Sequence, residues 1–218
     1  MSAETAPHIL VIEDEPAQME LIRYNLEAQG FQVTQAGNGE EAFDEVKKHN
    51  PSVVLMDVNM PGIGGLEATR KLLQLDPSLK VIIVTIHTAE PFPTKLLEAG
   101  ASGYLTKDCG ISEIVKAIRT VSKGERYLSA DVAQHMALTM MPGSKQSPFQ
   151  TLSQREMQVM MMVTQGQNVQ QISDKLCLSP KTISTYRHRL FEKLNVENDV
   201  ELTRLAIRHG MIENGENV

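Results

Sequence analysis

The sequence predicts an α/β part, built as a (βα)5 doubly wound parallel sheet, followed by an all-α part of four helices. Two observations lead to this fold class. Between residues 8 and 123, short apolar runs alternate five times with amphipathic segments, a pattern typical of buried parallel strands joined by helices. Beyond residue 150 there is no strand pattern, and helical segments follow one another directly.

Five segments are predicted as strands. HILVI, VVLM and VIIVT are near-continuous apolar runs, as expected for strands covered on both faces. FQVTQA alternates between apolar and polar residues, which is typical of an edge strand, and SGYLT is a weaker candidate. In chain order the predicted strands are 8–12, 31–36, 53–56, 81–85 and 102–106.

The amphipathic segments predict five helices beside the sheet. Gly30 and Gly100 stand where helix ends favour glycine, and right-handed crossovers between the parallel strands give the doubly wound arrangement. A sixth helix is expected at about 130–140 from the same pattern. The five predicted helices are 16–29, 39–49, 64–75, 93–99 and 112–123.

The stretch MMPGSKQSPFQ, 140–150, predicts a linker from its Pro, Gly and Ser content. After it, Ser153 and Glu156 stand at capping-box spacing, and Ser179 followed by Pro180 marks the start of a third helix. The fourth helix ends at Gly210. The expected domains are therefore 1–124, then a helix and linker over 125–150, then a helical domain over 151–218.

Composition indicates whether the chain is a membrane, secreted or cytoplasmic protein. The 218 residues are 41% hydrophobic, and no apolar run approaches the roughly 18 residues of a membrane span. The N-terminal MSAETAPHIL lacks the pattern of a secretory signal, so a cytoplasmic location is expected. Cys109 and Cys177 share no motif spacing and are expected to be reduced, buried thiols.

Charge is distributed unevenly along the chain. Residues 1–150 hold 13 Lys and Arg against 19 Asp and Glu, whereas 151–218 hold eight of each. Within 179–194, Lys181, Arg187, Arg189 and Lys193 face only Glu192. A local basic patch decides phosphate binding, so the whole-chain charge of -6 does not exclude a nucleic-acid partner. The alternative is a solvated basic helix face.

The segment VVLMDVNMPGIGG, Val53–Gly65, carries a lone aspartate out of a buried strand into a Pro-Gly turn. Ligands gather at the carboxyl ends of the strands of an open parallel sheet. Polar side chains that follow separate strands should therefore converge with that aspartate on one rim, although each alone could be a solvated strand end. These side chains are Glu13, Asp14 and Glu15 after the first strand, Asp57 after the third, Thr85 at the end of the fourth, and Lys107 after the fifth.

This set of groups suits phosphoryl transfer. Clustered carboxylates favour a hard cation such as Mg²⁺, which would leave Asp57 ionised as a nucleophile. Mg²⁺, the Lys107 ammonium and the Thr85 hydroxyl could then neutralise the phosphoryl oxygens. Two rival enzyme classes fit less well. An aspartyl-phosphate phosphatase needs a second carboxylate where Asn59 stands, and a nucleotide binder needs a glycine-rich loop where the chain reads VIEDEPA.

Residues 8–123 resemble the receiver domain of response regulators. The spacing of Asp57, Thr85, Tyr104 and Lys107 matches the phosphoacceptor, switch hydroxyl, switch aromatic and lysine of that family. The resemblance also implies that Tyr104 turns inward when Asp57 is phosphorylated. The implied Mg²⁺ ligands are the side chains of Asp14 and Asp57, the backbone carbonyl of Asn59, and Glu13 acting through a water.

Residues 151–210 resemble the LuxR-type helix-turn-helix through LSQRE, LSPKTIS and the KL that ends the third helix. Dimerisation in such domains uses the fourth helix, where Leu202, Leu205 and Ala206 would fit, although core packing explains some of them equally well. The resemblance implies that Ser184, Thr185 and His188 face the bases, and that Lys181, Arg187, Arg189 and Lys193 contact phosphates.

From residue 53 onward the chain is similar to the GacA/UvrY group of NarL-type regulators. The function implied is that of a transcription factor and not an enzyme. A sensor histidine kinase of the hybrid type would phosphorylate Asp57, and the protein would then bind double-stranded DNA as a homodimer. A DNA-independent phosphate relay is a second interpretation.

Residues 1–50 resemble PhoB/OmpR-type receivers instead, with a change of style near His49–Val53. A divergent member and a chimera both fit this change. Because the first receiver helix sets kinase choice in the family, the surface around Gln18, Met19, Ile22 and Tyr24 is expected to determine it.

Overall fold

The computed structural model describes residues 7–58, 60, 63–86, 90–139, 141 and 147–212. It divides into two compact units, Met1–Ile86 with Lys95–Ala133, and His87–Thr94 with Gln134–Val218. Among the described residues, no helix combines the length and the apolar character that a membrane crossing requires.

The first unit contains a single sheet of six parallel strands in the order β2-β1-β3-β4-β5-β6. FQVTQA forms the edge strand, as its alternation predicts, and the apolar runs form the interior strands. The strands are β1 (His8–Ile12), β2 (Gln32–Ala36), β3 (Val53–Asp57), β4 (Lys80–Thr85), β5 (Gly103–Thr106) and β6 (Tyr127–Leu128).

The interior strands are buried on both faces. All five residues of β3 and all four of β5 are buried, and burial on both faces explains the apolar run over 53–56 in β3. The chain order changes direction at β1, which lies between β2 and β3. Such a switch point opens a crevice at the carboxyl ends of the two neighbouring strands. Glu13 and Asp14 follow β1, and Asp57 is the last residue of β3.

The helices between the strands agree with the predicted ranges within a residue or two. Asn38 caps one of them by accepting from the Glu41 backbone N–H, and Gly30 and Gly100 have the positive φ expected after a helix. The helices are α1 (Pro16–Ala28), α2 (Gly39–His49), α3 (Gly64–Leu75), α4 (Phe92–Glu98), α5 (Ile111–Ser122) and α6 (Ala130–Thr139).

Strand β6 was not predicted from the sequence. Its two residues lie alongside Gly103 and Tyr104 of β5, and the Ser129 N–H donates to the Tyr104 carbonyl at 3.0 Å. A strand of two residues has no hydrophobic period, so only its pairing partner reveals it. The segment that follows α5 is thereby held directly against the strand that carries Tyr104.

The second unit is helical, as predicted, with its caps in place. Ser153 and Glu156 form both bonds of a capping box, and Ser179 caps a helix that begins at Pro180. Its helices after α6 are a 3-10 turn (Pro148–Thr151), α7 (Gln154–Thr164), α8 (Val169–Leu176), α9 (Pro180–Leu194) and α10 (Asp199–Arg208).

The linker prediction is wrong for its last residues, because Phe149 lies in the 3-10 turn, is fully buried and packs edge-on against the His209 ring. For Leu202 and Ala206, core packing is the alternative that the structure favours over a dimer face, because both are fully buried. Cys177 is exposed at the end of α8, so the expectation of two buried thiols is also wrong.

Candidate functional site

A cluster of carboxylates lies at the rim where β1 and β3 end. The two strands pair in parallel with Ile12 opposite Met56, so the residues that follow both strands come out side by side. Oxygens of Glu13, Asp14 and Asp57 lie within 4.8 Å of one another. Glu13 and Asp57 are buried, whereas Asp14 is exposed. The convergence predicted from the strand ends is therefore present.

Lys107 brings a positive charge into this cluster from the end of β5. Its backbone N–H donates to the Thr85 carbonyl at 2.9 Å, which fixes where the side chain starts. Its Nζ donates to Glu13 Oε2 at 2.8 Å and to Asp57 Oδ2 at 3.0 Å. A third bond, to Gln18 Oε1 at 2.9 Å, comes from helix α1.

The electrostatics of the cluster show repulsion that one lysine does not remove. Burial raises the pKa of Glu13, and the charge of Asp57 adds to this, while Lys107 acts in the opposite direction. Partial burial and Asp57 also raise the pKa of Asp14. For Lys107, burial acts to lower the pKa, but the hydrogen bonds and charges of Glu13 and Asp57 hold it above its usual value.

These residues fit a divalent cation. Three carboxylates from two adjacent strand ends present oxygen ligands, which are the donors that Mg²⁺ prefers. The raised pKa values of Glu13 and Asp14 indicate that added positive charge would be stabilised there. Asn59, the predicted carbonyl ligand, lies outside the described residues, as do Pro61 and Gly62 of the predicted turn.

Thr85 and Tyr104 lie where the strand pattern predicts them. Thr85 is the last residue of β4 and pairs with Thr106, and Tyr104 lies two residues earlier on β5. Both are fully buried. The aromatic ring is therefore already inside in this structure, which differs from the expectation that it moves inward only on phosphorylation.

Gly65, which the sequence places in the Pro-Gly turn and at the start of the predicted helix 64–75, also packs closely against the backbone of Asp57. A Cβ at this position would lie 2.5 Å from the Asp57 carbonyl oxygen and 2.7 Å from Val58 Cα. Helix α3 therefore packs directly against the end of β3, and only glycine allows that approach. The available signal in the sequence was the Gly-Gly pair at the start of a helix, where glycine is otherwise unfavourable.

Helix α1 presents part of the surface predicted for kinase choice, since Gln18, Ile22 and Tyr24 are at least partly exposed. Met19 is 7% exposed and belongs to the core, and Gln18 turns toward Lys107. Tyr24 is 69% exposed, and Leu21, which the prediction did not include, is 64% exposed. Kinase choice itself stays a prediction.

A second candidate site lies on α9. Ser184 and Thr185 are exposed, and their hydroxyls donate to the carbonyls of Pro180 and Lys181 at 3.0 and 2.9 Å. The side chain of His188 is 75% exposed one turn further along. These three residues therefore share an accessible surface in the N-terminal part of the helix.

The four cations of α9 are not equivalent. Arg187 pairs with Asp199 at the start of α10, and Lys193 pairs with the buried Glu156 of α7 at 2.7 Å. Lys181 and Arg189 are exposed to solvent. Spacing along one helix could not reveal the two ion pairs, because their acidic partners lie on other helices.

Family comparisons agree with this division of the chain. Residues 9–119 match the response regulator receiver domain, and residues 150–206 match the bacterial regulatory proteins of the luxR family. The first match covers the sheet from β1 to β5 with the carboxylate cluster, and the second covers α7, α8, α9 and most of α10.

Known relatives match over nearly the whole chain. The response regulator GacA of Pseudomonas viridiflava is 52% identical over 208 residues, which cover 94% of this chain and 97% of that protein. The response regulator UvrY of Escherichia coli K12 is 48% identical over 207 residues, covering 94% of this chain and 95% of that protein.

Solved structures share the fold. A two-component response regulator of the LuxR family from Aurantimonas is 37% identical, with a TM-score of 0.59, over 61% of this chain and 96% of that one. RcsB from Salmonella enterica serovar Typhimurium, bound to promoter rprA in the presence of the phosphomimetic BeF3⁻, has a TM-score of 0.67 and 22% identity, over 92% of this chain and 98% of that one. The RcsB likeness concerns the fold alone.

The matched families, the agreement along the chain with whole regulators, and the acidic cluster beside a lysine lead to one conclusion. This chain belongs to the two-component response regulators that combine a receiver domain with a LuxR-type DNA-binding domain, in the group of GacA and UvrY.

Proposed function

We propose that Asp57 accepts a phosphoryl group from a sensor histidine kinase of the hybrid type, and that this modification controls DNA binding. The observation that supports this most directly is the bond from Lys107 Nζ to Asp57 Oδ2 at 3.0 Å, inside a cluster of three carboxylates. A buried carboxylate beside a fixed cation, at a strand end open to a crevice, is placed to attack a phosphoryl donor.

The residues that would hold Mg²⁺ are Asp14 and Asp57 through their carboxylates, Glu13 through a water, and Asn59 through its backbone carbonyl. When bound, the cation would neutralise a phosphoryl oxygen and reduce the repulsion among the carboxylates. The protein side of the proposal is supported by the three oxygens that lie within 4.8 Å of one another.

In the proposed transfer, an Asp57 oxygen forms a bond to phosphorus while the bond from phosphorus to the donor breaks. With a kinase the donor atom is a histidine nitrogen, and with acetyl phosphate it is an oxygen that leaves with acetate. Lys107 would bind one phosphoryl oxygen and the Thr85 hydroxyl another. Thr85 and Tyr104, both buried beside this rim, would respond to the added group.

The output would be a homodimer on palindromic double-stranded DNA. Ser184, Thr185 and His188 lie exposed on α9 and would face base edges. We assign phosphate contacts chiefly to Lys181 and Arg189, because Arg187 and Lys193 are held in ion pairs within the helical unit. A cytoplasmic location would follow from a DNA target.

The proposed domains are the receiver over 1–124, a connecting segment, and the DNA-binding domain. The predicted connector ran over 125–150 and the predicted DNA-binding domain over 151–218. Because Phe149 is buried in the helical core, we propose that the DNA-binding domain begins near Ser147 instead.

Mass spectrometry of the intact chain tests the phosphorylation site. Treatment with acetyl phosphate and Mg²⁺ should add one phosphate mass to the wild-type protein and none to Asp57→Asn. A phosphate mass that persists in Asp57→Asn would rule out Asp57 as the acceptor. Labelling should be lost when Mg²⁺ is omitted. If the protein is labelled equally well with Mg²⁺ and with a chelator, the proposed role of the metal is wrong.

A further inference from the structure

Lys107 has every donor of its ammonium group engaged before any phosphate arrives. A lysine ammonium has three N–H donors and no acceptor. The described residues supply three acceptors at hydrogen-bond distance: Glu13 at 2.8 Å, Gln18 at 2.9 Å and Asp57 at 3.0 Å. A phosphoryl oxygen that binds Lys107 must therefore displace one of these contacts.

The side-chain amide of Gln18 has a defined orientation in this network. Lys107 can only donate, so the amide oxygen must face it. The amide Nε2 donates in turn to a carboxylate oxygen of Glu15, three residues earlier. Gln18 therefore links the lysine of the phosphorylation site to the loop between β1 and α1.

Apart from Asp57, which is itself modified, Lys107 contacts Glu13 and Gln18, and the contact to Gln18 is the one that can be given up at the lower cost. Glu13 is a buried carboxylate with 3% of its side chain exposed, and losing Lys107 would leave its buried charge without that partner. The bond from Lys107 to Gln18 is to a neutral amide, which is weaker than a bond to a carboxylate. Gln18 is also only half-buried, so water can replace the lysine.

We propose that Gln18 is a positioning residue for the phosphorylation reaction. Its amide holds one donor of Lys107 in the unmodified protein and releases it to a phosphoryl oxygen when Asp57 is modified. Gln18 thereby favours the unmodified form and limits how tightly the site holds a phosphoryl group. This inference rests on the proposed function of Asp57.

Gln18 takes part in no bond change of the reaction. On phosphorylation, an Asp57 oxygen bonds to phosphorus as the donor leaves. On hydrolysis, a water oxygen attacks phosphorus, and Asp57 leaves as a carboxylate while inorganic phosphate is released. The contribution of Gln18 is the bond to Lys107 that exists before transfer and is absent after it.

The test compares Gln18→Met with the wild-type full chain. Methionine keeps the length of the side chain and the helix propensity but accepts no strong hydrogen bond. Beryllofluoride binding with Mg²⁺, followed by ¹⁹F NMR, should become about two- to tenfold tighter, which is the range for losing one net hydrogen bond from the unmodified state alone. Unchanged or weaker binding would overturn the proposal.

A second measurement separates positioning from a general effect on the fold. In protein with ¹³C-labelled lysine, the Cε signal of Lys107, assigned with Lys107→Arg, should shift on Gln18→Met while other lysine signals stay in place. Gln35→Met is the matched control, because Gln35 donates to Glu20 on the neighbouring surface. It should leave both the affinity and the Lys107 signal unchanged.

The two measurements also distinguish this inference from the proposed function. If wild-type protein binds no beryllofluoride, or Asp57→Asn binds it equally well, the proposed role of Asp57 fails. The Lys107 signal still tests the contact in that case, since it needs no phosphoryl analogue. A Lys107 signal that is identical in wild type and Gln18→Met would refute the positioning role.

Discussion

Gly65 lies against the end of β3 at a distance that no other residue would permit. A Cβ there would contact the Asp57 carbonyl oxygen at 2.5 Å and Val58 Cα at 2.7 Å, and both atoms belong to the backbone. The Gly65 N–H also donates to the Val58 carbonyl at 3.2 Å. A side chain at this position must move either α3 or the phosphoacceptor strand.

Gly65→Ala is therefore expected to destabilise the receiver domain by about 1–3 kcal/mol, the usual cost of overpacking. It should also slow labelling of Asp57 by acetyl phosphate, because the displaced backbone carries that residue. Urea unfolding and the labelling rate of the full chain measure the two effects. Gly110→Ala is the control, since a Cβ at Gly110 would meet only Ser112 Oγ at 3.8 Å. Equal behaviour of the two variants would contradict the packing argument.

Thr185 and Arg189 are expected to contribute differently to DNA binding. The Thr185 hydroxyl already donates to the Lys181 carbonyl, so its oxygen is free to accept from a base amino group without a rearrangement. Thr185→Ala should reduce discrimination between sites by about 1–3 kcal/mol if one good base contact is lost. Arg189→Ala should weaken binding to all sequences alike and lower the salt slope by about one unit.

Binding of the full chain to a specific site and to random DNA, across a range of salt concentrations, separates the two effects. Glu201→Ala, on a different helix, is a suitable control because Glu201 is exposed and acidic. A uniform loss in Thr185→Ala, or a site-specific loss in Arg189→Ala, would reverse the proposed assignment.

Helices α7 and α9 are connected by an ion pair that also closes a helix cap. Glu156 accepts from the Ser153 N–H at 2.7 Å and from Lys193 Nζ at 2.7 Å, with only 4% of its side chain exposed. Burial acts to raise the pKa of Glu156, but the bonds from Lys193 and Ser153 outweigh it, so the pKa lies below the usual value.

A carboxylate with a lowered pKa stabilises the fold above its unfolded pKa, and that contribution disappears as the pH falls through the folded pKa. For glutamate the loss begins below about pH 4.3. Glu156→Gln keeps a cap acceptor but removes the charge, so it should lower the unfolding temperature of the helical domain at pH 7. The unfolding temperature of this variant should also fall less steeply than that of the wild type as the pH is lowered. Calorimetry of the full chain, with Glu201→Gln as an exposed control, measures this. A parallel decrease in both variants would exclude the ion pair as the cause.

The two parts of the molecule differ in net charge. The acidic excess lies in residues 1–150, and residues 151–218 are neutral overall, so DNA affinity depends on the few exposed cations near α9. One such surface, with few exposed cations, is expected to bind phosphates weakly. Two surfaces held in a dimer act together, and the second contact then becomes effectively intramolecular.

Phosphorylation is therefore expected to raise apparent DNA affinity by promoting the dimer, without changing either base contact. In a gel shift with the full chain, treatment with acetyl phosphate should tighten DNA binding. Sedimentation of the same samples should show that the treated protein is a dimer. Asp57→Asn should show neither change. If phosphorylation alters neither the DNA affinity nor the oligomeric state, the proposed switch is wrong and the protein is a constitutive DNA binder.

The sequence by itself determined β1 to β5, the α-helices and the rim at which the proposed phosphorylation site lies. Continuous apolar runs specify strands buried on both faces, and the alternation of FQVTQA specifies the edge. Because parallel strands end on one side, the residues after β1 and β3 had to meet, and they do. Helix caps are equally local, since Ser153 and Glu156 are only three residues apart.

Only the tertiary structure decided which polar groups meet across different elements. Arg187 pairs with Asp199, Lys193 with Glu156, and Lys107 with Gln18, over separations of 12, 37 and 89 residues. Periodicity identifies the apolar face of a helix, but it does not identify which charge a neighbouring helix places opposite. The same reason explains why Leu202 is fully buried and not available to a partner. An amphipathic pattern indicates that a face will be covered, and the packing of the helices determines what covers it.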